Sequence, residues 1–230
     1  MIGMTGDERR PLFSIIVAAH DAASTVAECV DSVCAQTLGD WELIAVDDGS
    51  TDETVRVLAE RHSRDRRIRV VRQPNTGTAG ARNAGAALAV GEWWLFLDAD
   101  DMLLPAYLES QYAFLVAHPG YDIYSCNVEM LLRDGTRRVV WSGGRRSAPF
   151  SLTAEDEARE SEILLMTVLR PSVFALTGGF RPVYSEDYDF WLRALILGAR
   201  HIYNPEVLAV YRRAEGSKTT RLVAAAKSTV

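Results

Sequence analysis

Two aspartates separated by one residue follow an apolar run, and their chemistry suits a divalent cation. Asp98 and Asp100 come directly after Trp93–Leu97, which reads WWLFL. In extended chain, alternate side chains point the same way, so both carboxylates can meet one ion at the end of the strand. Oxygen ligands suit Mg²⁺ or Mn²⁺, which would keep open positions for substrate phosphate oxygens. The alternative is an acidic turn that caps the helix opened by Pro105.

A second acidic pair ends another apolar run. Asp47 and Asp48 follow Trp41–Val46 and precede Gly49 and Ser50. Carboxylate or backbone groups at a strand tip can accept hydrogen bonds from the N–H groups of a base or from ribose hydroxyls. Turn chemistry explains the same residues equally well, because a strand-to-helix turn favours Asp, Gly and Ser.

A loop of small residues enters a helix between these two acidic pairs. Gly77–Asn83 reads GTAGARN, and it has neither the Gly-Lys-Ser/Thr of a Walker loop nor the GxGxxG fingerprint. Helix N-termini favour phosphate, and Arg82 can add a bidentate contact. The alternative is that small residues let the helix lie close to the sheet, which explains Ala84–Ala87 in either case.

An acidic segment starts the last predicted helix. Ser185–Asp189 reads SEDYD and precedes FWLRALIL, so we predict a helix over Asp187–Leu197 that contains Trp191. Carboxylates at a helix N-terminus are stabilised by the macrodipole, which favours a capping role. The other interpretation is a general base, because an ionised Asp187 can take a proton from an incoming hydroxyl.

Alternating strands and helices must position these groups. Helices of ten to fifteen residues between strands imply βαβ crossovers and a mainly parallel sheet. Ligands bind at the carboxyl ends of the strands in such a sheet, so Ala19-His20-Asp21 is expected to meet both acidic pairs there. The predicted strands are Phe13–Ala19, Trp41–Val46, Ile68–Arg72 and Trp93–Leu97.

Start signals precede three of the four predicted helices that follow these strands. Thr25 and Glu28 form a capping box, Ser50 with Glu53 can cap the next helix, and Pro105 opens the one after the fourth strand. The four helices are expected to end near Gln36, His62 and Val90 and before Pro119.

The second half of the chain is predicted to include an antiparallel part. Tyr121–Val128 and Arg137–Trp141 flank Asp134-Gly135, which is a hairpin signal. Residues 143–160 are polar and acidic and are expected to form a surface excursion. The expected returns to packed structure are Glu162–Leu169 and Val173–Leu176.

Composition restricts the class of protein. The chain has 230 residues, a net charge of −6 and 24% charged residues, so we expect a globular protein that does not bind nucleic acid through bulk positive charge. No run reaches the roughly 18 apolar residues of a membrane span. The N-terminus has no apolar signal core, and the expected location is the cytoplasm. Cys29, Cys34 and Cys126 show no CxxC spacing and are expected to be free thiols.

As an ordered set, these motifs resemble the family 2 glycosyltransferases of GT-A fold. The segments FSIIVAAHDAASTVAECVDSVCAQTLGDWELIAVDDGSTDET, NTGTAGARNAGAALAVGEWWLFLDADD and SEDYDFWLRA extend the resemblance over about Phe13–Thr219. It implies an α/β fold with one Rossmann-like, mainly parallel sheet flanked by helices and a smaller antiparallel acceptor-side part. Residues 1–230 would form one domain, with 13–120 as the nucleotide-sugar-binding half and 121–219 as the acceptor-side half.

The resemblance also implies an inverting transferase that moves a sugar from a nucleotide-diphospho-sugar, expected to be UDP-linked, to an acceptor hydroxyl with Mn²⁺ or Mg²⁺. Asp98 and Asp100 match the metal-binding pair, with Asp100 as the direct ligand and Asp98 nearer the ribose. Asp187 matches the general base and Glu186 its neighbour. The residues matched to donor binding are Ala19, His20, Asp47, Asp48, Gly49, Ser50, Arg82, Asp98 and Ala99. Trp191 and Arg193 match the helix behind the base, where packing is the expected role.

Two positions depart from the family pattern. Many members have a late histidine where this chain has Ala214, which cannot bind a metal, so Glu215 or water would have to replace it. The pair His20-Asp21 stands where the family often has a Tyr-Asn-like pair, which can alter contacts to the base or the acceptor.

Two other functions compete with transfer. A nucleotidyltransferase would favour a glycine-rich, basic loop after the first strand, which Ala18–Asp21 is not. A catalytically inactive nucleotide-sugar-binding homologue is favoured by Ala214 and opposed by the intact Asp98, Asp100 and Asp187.

The sequence leaves the sugar, the acceptor and the oligomeric state open. A polysaccharide, a glycolipid and a secondary metabolite all fit as acceptor, and so does peripheral contact with the inner face of the membrane. Four arginines can meet an anionic acceptor or form a solvated face. They are Arg137, Arg138, Arg145 and Arg146.

Overall fold

Strands and helices alternate through the first half of the chain, as the apolar runs predict. The structure is a computed structural model that describes residues 10–140, 147–159 and 161–213. Its strands are β1 (Phe13–Ala19), β2 (Trp41–Asp48), β3 (Ile68–Gln73), β4 (Trp93–Asp98), β5 (Met102–Leu103), β6 (Ile123–Leu131), β7 (Arg137–Val139), β8 (Val168–Leu169) and β9 (His201–Arg212). Its helices are α1 (Val26–Cys34), α2 (Thr54–Arg64), α3 (Gly77–Ala86), α4 (Tyr107–Ala117), α5 (Ala154–Arg159), α6 (Pro171–Thr177) and α7 (Glu186–Ile196).

One sheet contains all of these strands, in the order β3-β2-β1-β4-β8-β6-β9-β5, with β7 beside β6. The first four strands are parallel, and β1 lies between β2 and β4. Ala19 is opposite Asp47, and Ala18 is opposite Asp98. The register therefore brings the acidic ends of β2 and β4 to either side of the end of β1.

Apolar side chains cover both faces of β1, β2 and β4, which explains the apolar runs of these three strands. On β1, Ile15 and Val17 belong to the core cluster that includes α1 and α2. Ile16 belongs to the cluster on the other face, with residues of α3 and α7. These three side chains are fully buried, and burial of each stabilises the fold by about 1.5–3 kcal/mol relative to exposure.

The second half of the sheet contains both strand directions. β8 is antiparallel to both β4 and β6, and β6 forms the expected hairpin with β7. β9 was not predicted from the sequence; it pairs in parallel with β6 and antiparallel with β5. The register with β6 jumps from Asn204 to Val207, so Pro205 and Glu206 fall in an irregularity of the ladder. A proline is tolerated in a strand at such a bulge.

Neither predicted cap forms at the start of α1 or α2. Thr25 donates its hydroxyl to the Ala22 carbonyl, and Glu28 pairs with Arg212 instead. The hydroxyl of Ser50 accepts the N–H of Asp21 at 3.0 Å. The polar groups that the sequence assigns to helix caps therefore hold neighbouring loops together.

The expectation of a surface excursion at 143–160 is wrong in one respect. Residues 143–146 and 160 lie outside the described residues, but α5 is packed, and its Glu157 is 0% exposed. α3 also ends earlier than predicted, at Ala86. Cys29 and Cys126 are buried, Cys34 is exposed, and all three are free thiols as expected. None of the helices in the described part of the chain has both the length and the apolar character needed to cross a bilayer.

Candidate active site

The ends of β1 and β2 are fastened to each other by Asp21. Its carboxylate accepts the N–H of Thr51 at 2.7 Å and the N–H of Asp52 at 3.3 Å. These hydrogen bonds favour the charged form and lower the pKa of Asp21. Asp21 has a φ of +46°, which is uncommon for a residue with a side chain. The loop after β1 thus has a fixed conformation.

Asp47 and Asp48 are both buried at the end of β2. The Asp48 carboxylate accepts the backbone N–H of Thr76 at 2.9 Å and the side-chain amide of Gln73 at 2.8 Å. The Asp47 carboxylate lies 3.2 Å from Nε of Arg72. Asp48 thus fixes the loop between β3 and α3, a partner that the turn chemistry of residues 47–52 does not predict. Beside them, a shallow pocket of about 330 Å³ is lined by Gly49, Arg72, Gln73 and Pro74.

The His20 ring stands between the acidic pair of β2 and Asn75. Its Nδ1 lies 2.9 Å from the Asp48 carbonyl oxygen, and its Nε2 lies 3.2 Å from the Asn75 amide nitrogen. The Asn75 amide nitrogen lies equally close, at 3.2 Å, to Nδ1 of His20. The Ala19 side chain, by contrast, is buried in the core. His20 therefore contributes the polar group that the end of β1 presents to Asn75 in the loop between β3 and α3.

Gly49 occupies a position that a larger residue would strain. Its φ is +72°, and a Cβ would lie 2.8 Å from the backbone nitrogen of Asn75. We expect Gly49→Ala to lose more stability than Gly135→Ala, whose φ of +80° is similar but whose Cβ would meet nothing within 4 Å. The left-handed conformation alone costs about 1–2 kcal/mol. Urea unfolding of both variants measures the difference, and equal losses would contradict a steric role for Asn75.

Three carboxylates meet after β4. One oxygen from each of Asp98, Asp100 and Asp101 lies within 4.8 Å of the others. Burial and the Asp98 charge raise the pKa of Asp100 to about 6, and the same causes raise the pKa of the buried Asp101 well above its usual value. Such mutual repulsion is relieved by a cation, and an all-oxygen set suits Mg²⁺ or Mn²⁺. The residues present fit a divalent metal.

The geometry of this cluster differs from the extended chain that the sequence analysis assumed. β4 ends at Asp98, and the N–H of Asp101 bonds to the Asp98 carbonyl at 3.0 Å, so the carboxylates meet through a turn. Arg212 holds the turn from β9: its N–H donates to Asp101 at 2.8 Å and its Nε donates to the Asp100 carbonyl at 2.9 Å. Ala99 is buried within the turn. Asp101 was not predicted from the sequence as a residue of the site.

Arg82 connects the two acidic parts of the site. Its side chain is 4% exposed; Nη2 lies 2.7 Å from Asp98 Oδ1 and Nη1 lies 3.2 Å from Glu186 Oε1. The guanidinium carbon also lies 5.2 Å from the centre of the Phe180 ring. Arg82 lies in the interior of α3, away from the N-terminus of that helix. It therefore binds carboxylates in this structure, where the sequence analysis expected it near a phosphate.

Asp187 and Glu186 begin α7 beside a cleft of about 190 Å³. Glu186 lines this cleft together with Thr76–Ala79, Pro182 and Val183. Burial raises the pKa of Asp187, and the nearby Arg82 charge and the Tyr188 N–H partly oppose that rise. A carboxylate with a raised pKa is a stronger base once it is ionised.

The rest of α7 has a packing role. Trp191 is fully buried. Arg193 donates to the carbonyls of Thr177 at 2.7 Å and Gly179 at 2.9 Å, and its Nη2 lies 2.6 Å from Asp189. These bonds tie α7 to the segment after α6. Ala214, Glu215, Arg145 and Arg146 lie outside the described residues.

Relatives of this chain are glycosyltransferases by name. The family model described as Glycosyl transferase family 2 matches residues 14–184. TuaG of Bacillus subtilis (strain 168), named as a teichuronic acid biosynthesis glycosyltransferase, is 32% identical over 224 residues, which are 96% of this chain and 86% of TuaG. EpsE of the same organism, also named as a glycosyltransferase, is 30% identical over 214 residues, which are 90% of this chain and 74% of EpsE.

The fold also matches that of solved structures. The crystal structure of S. aureus TarS 1-349 in complex with UDP-GlcNAc superposes with a TM-score of 0.74 at 20% identity and covers 90% of this chain. This chain spans 60% of that TarS chain. The likeness confirms the GT-A fold, with a mainly parallel sheet flanked by helices.

Proposed function

This chain belongs to glycosyltransferase family 2, and we propose that it moves a sugar from a UDP-linked donor to an acceptor hydroxyl with inversion at the anomeric carbon. The observation that carries the proposal is the bridge made by Arg82, which fastens Asp98 to Glu186. That bridge holds the acidic turn at the end of β4 next to the start of α7, where Asp187 lies. A cation-binding group and a candidate base are thereby adjacent.

The proposed donor is bound along the ends of the parallel strands. In this proposal the pocket beside Gly49 and Arg72 binds the nucleotide base. His20, Asp47 and Asp48 hold the loops around that pocket. The UDP and UDP-GlcNAc complexes of TarS support UDP as the nucleotide. We also propose that residues 13–120 bind the donor and residues 121–219 bind the acceptor within one domain. The name of TuaG supports a cell-surface polysaccharide as acceptor.

In the proposed mechanism, Asp187 takes the proton of the acceptor hydroxyl as its oxygen bonds to the anomeric carbon from the face opposite the diphosphate. The bond between that carbon and the diphosphate oxygen breaks in the same step, and UDP leaves. Asp98 and Asp100 would hold Mn²⁺ or Mg²⁺, which when bound offsets the charge that develops on the diphosphate. Arg82 keeps Asp98 and Glu186 in place throughout. The proposed location is the cytoplasm, which the free thiols support.

A thermal-shift series with UDP and UDP-GlcNAc, with and without Mn²⁺, tests donor binding. A ligand that binds the folded protein stabilises it by RT ln(1 + [L]/Kd) and so raises the melting temperature. We expect a rise that requires Mn²⁺, together with UDP release from UDP-GlcNAc. Binding without UDP release would instead support the inactive homologue. No rise with either nucleotide would contradict the proposal.

Removal of a metal ligand should weaken nucleotide binding. We expect Asp100→Ala to lower the Mn²⁺-dependent affinity for UDP by more than the roughly 10- to 100-fold typical of changes at residues that only hydrogen-bond a metal ligand. The reason is that Asp100 is the residue proposed to contact the metal directly. Titration of UDP at fixed Mn²⁺ measures the effect. Asp134→Ala, in the β6–β7 hairpin, is the matched control with the same charge change. An unchanged metal dependence would remove Asp100 from the site.

A further inference from the structure

Glu157 on α5 is a fully buried acid that the proposed mechanism does not use. Its Oε2 accepts the backbone N–H groups of Glu162 at 3.0 Å and Ile163 at 3.2 Å. Its Oε1 is also buried and has no hydrogen-bond partner in the described part of the chain. A buried carboxylate with one bare oxygen is costly, whereas a neutral carboxylic acid in the same place is much less so.

The surroundings of Glu157 are negative. α5 packs against α7 near Asp187, and the charges of Asp187 and Glu162 both act on Glu157. Burial and these two charges raise the pKa of Glu157 to about 7, against the opposing effect of its two N–H donors. On α5 itself, Arg159 pairs with Glu155 at the surface. At neutral pH, Glu157 is therefore poised between its neutral and charged forms.

We propose that Glu157 is a positioning residue for sugar transfer: its neutral acid ties the end of α5 to Glu162 and Ile163 and keeps a second negative charge away from Asp187. This inference rests on the proposed role of Asp187. When Glu157 loses its proton, α5 carries a buried negative charge that acts on Asp187 at the start of α7. The repulsion between the two charges in a poorly solvated place displaces Asp187 from the acceptor hydroxyl, so the rate of transfer falls as pH rises through the titration of Glu157.

Glu157→Gln separates the charge from the packing. The amide oxygen of Gln accepts the same two N–H groups, and the side chain is neutral at every pH. We expect the wild-type rate of UDP release from UDP-GlcNAc to fall roughly fivefold between pH 7 and 8, as a single ionisation near 7 requires when the charged form is inactive. Glu157→Gln should stay flat over that range. Glu155→Gln, the exposed control on the same helix, should follow the wild type.

Melting temperatures over the same pH range test the buried acid without turnover. Glu157 titrates near 4.5 in the unfolded chain and near 7 in the fold, so the stability from its bound proton is present at low pH and is lost as pH rises from about 4.5 through 7. The wild type should therefore lose melting temperature relative to Glu157→Gln between pH 5 and 8.

The two measurements distinguish the possible failures. Superimposed rate profiles for the wild type and Glu157→Gln would overturn the positioning role, even if the melting profiles differ. If the melting temperatures of the wild type and Glu157→Gln change with pH in the same way, Glu157 is not a neutral acid in the fold. If the wild type releases no UDP at any pH, the proposed function fails and the role in transfer fails with it, while a difference in melting temperature would still support a neutral Glu157.

Discussion

Asp187→Asn is expected to lower the rate of UDP release by about 10²–10⁴-fold, the usual contribution of a positioned acid or base. The amide has nearly the shape of the carboxylate but cannot take the proton of the attacking hydroxyl. Nucleotide binding should be retained, because in the proposed mechanism Asp187 contacts the acceptor. It contacts neither the nucleotide base nor the diphosphate of the donor. UDP release measures the first effect, and the Mn²⁺-dependent rise in melting temperature with UDP measures the second.

Asp31→Asn is the matched control for this change, since Asp31 is exposed on α1 and pairs with Arg61. It should keep the wild-type rate. If Asp187→Asn transfers as fast as its parent, Asp187 is not the base. If Asp187→Asn loses UDP binding together with turnover, the residue belongs to the donor site.

Arg82→Met is expected to cause the largest loss of stability, about 3–5 kcal/mol, the cost of leaving a buried charge without its partner. Met keeps the apolar part of the side chain but removes the positive charge that lies 3.2 Å from Glu186, whose side chain is 7% exposed. It also releases Asp98, so Mn²⁺-dependent UDP binding should weaken at the same time. Urea unfolding measures the first effect and UDP titration measures the second.

Two further variants test the reason for this loss. Arg82→Lys keeps the charge but not the planar fork that reaches both carboxylates, so its loss should be intermediate. Combining Arg82→Met with Glu186→Gln removes both partners and should recover part of the stability, although it leaves metal-dependent binding weak. Unfolding of Arg82→Met at the wild-type urea concentration would contradict the structural role of the bridge.

The first half of the fold could be predicted from the sequence because β1, β2 and β4 are buried on both faces. Their apolar runs, together with the short run of β3, placed β1 to β4 within two residues of their ends. β9 was not predicted from the sequence because Pro205 and Glu206 interrupt its apolar pattern. The structure accommodates them through the shift in pairing with β6, which depends on a partner strand that lies far away in the chain. Such a partner is not visible in a local pattern.

The site could be predicted only as far as its residues follow strands or begin helices. The acidic pairs at 47–48 and 98–100 have local signals, whereas the contacts of Asp101 and Arg212 depend on β9. The sequence also could not choose a partner for Arg82, because carboxylate and phosphate offer a guanidinium the same planar arrangement of oxygens. Glu157 was expected at the surface because AEDEAR is polar, and only the packing of α5 on α7 reveals its burial.

The hold of Arg212 on the acidic turn affects how the protein is made. The hydrogen bond between Arg212 and Asp101 joins residues 111 positions apart, and such distant contacts form late because a long loop must close first. During synthesis, β1 to β4 emerge long before β9 exists. A nascent chain can thus assemble its parallel strands while the turn that contains Asp100 still lacks the hydrogen bonds from Arg212. The proposed metal ligands reach their final arrangement only when almost all of the described chain has left the ribosome.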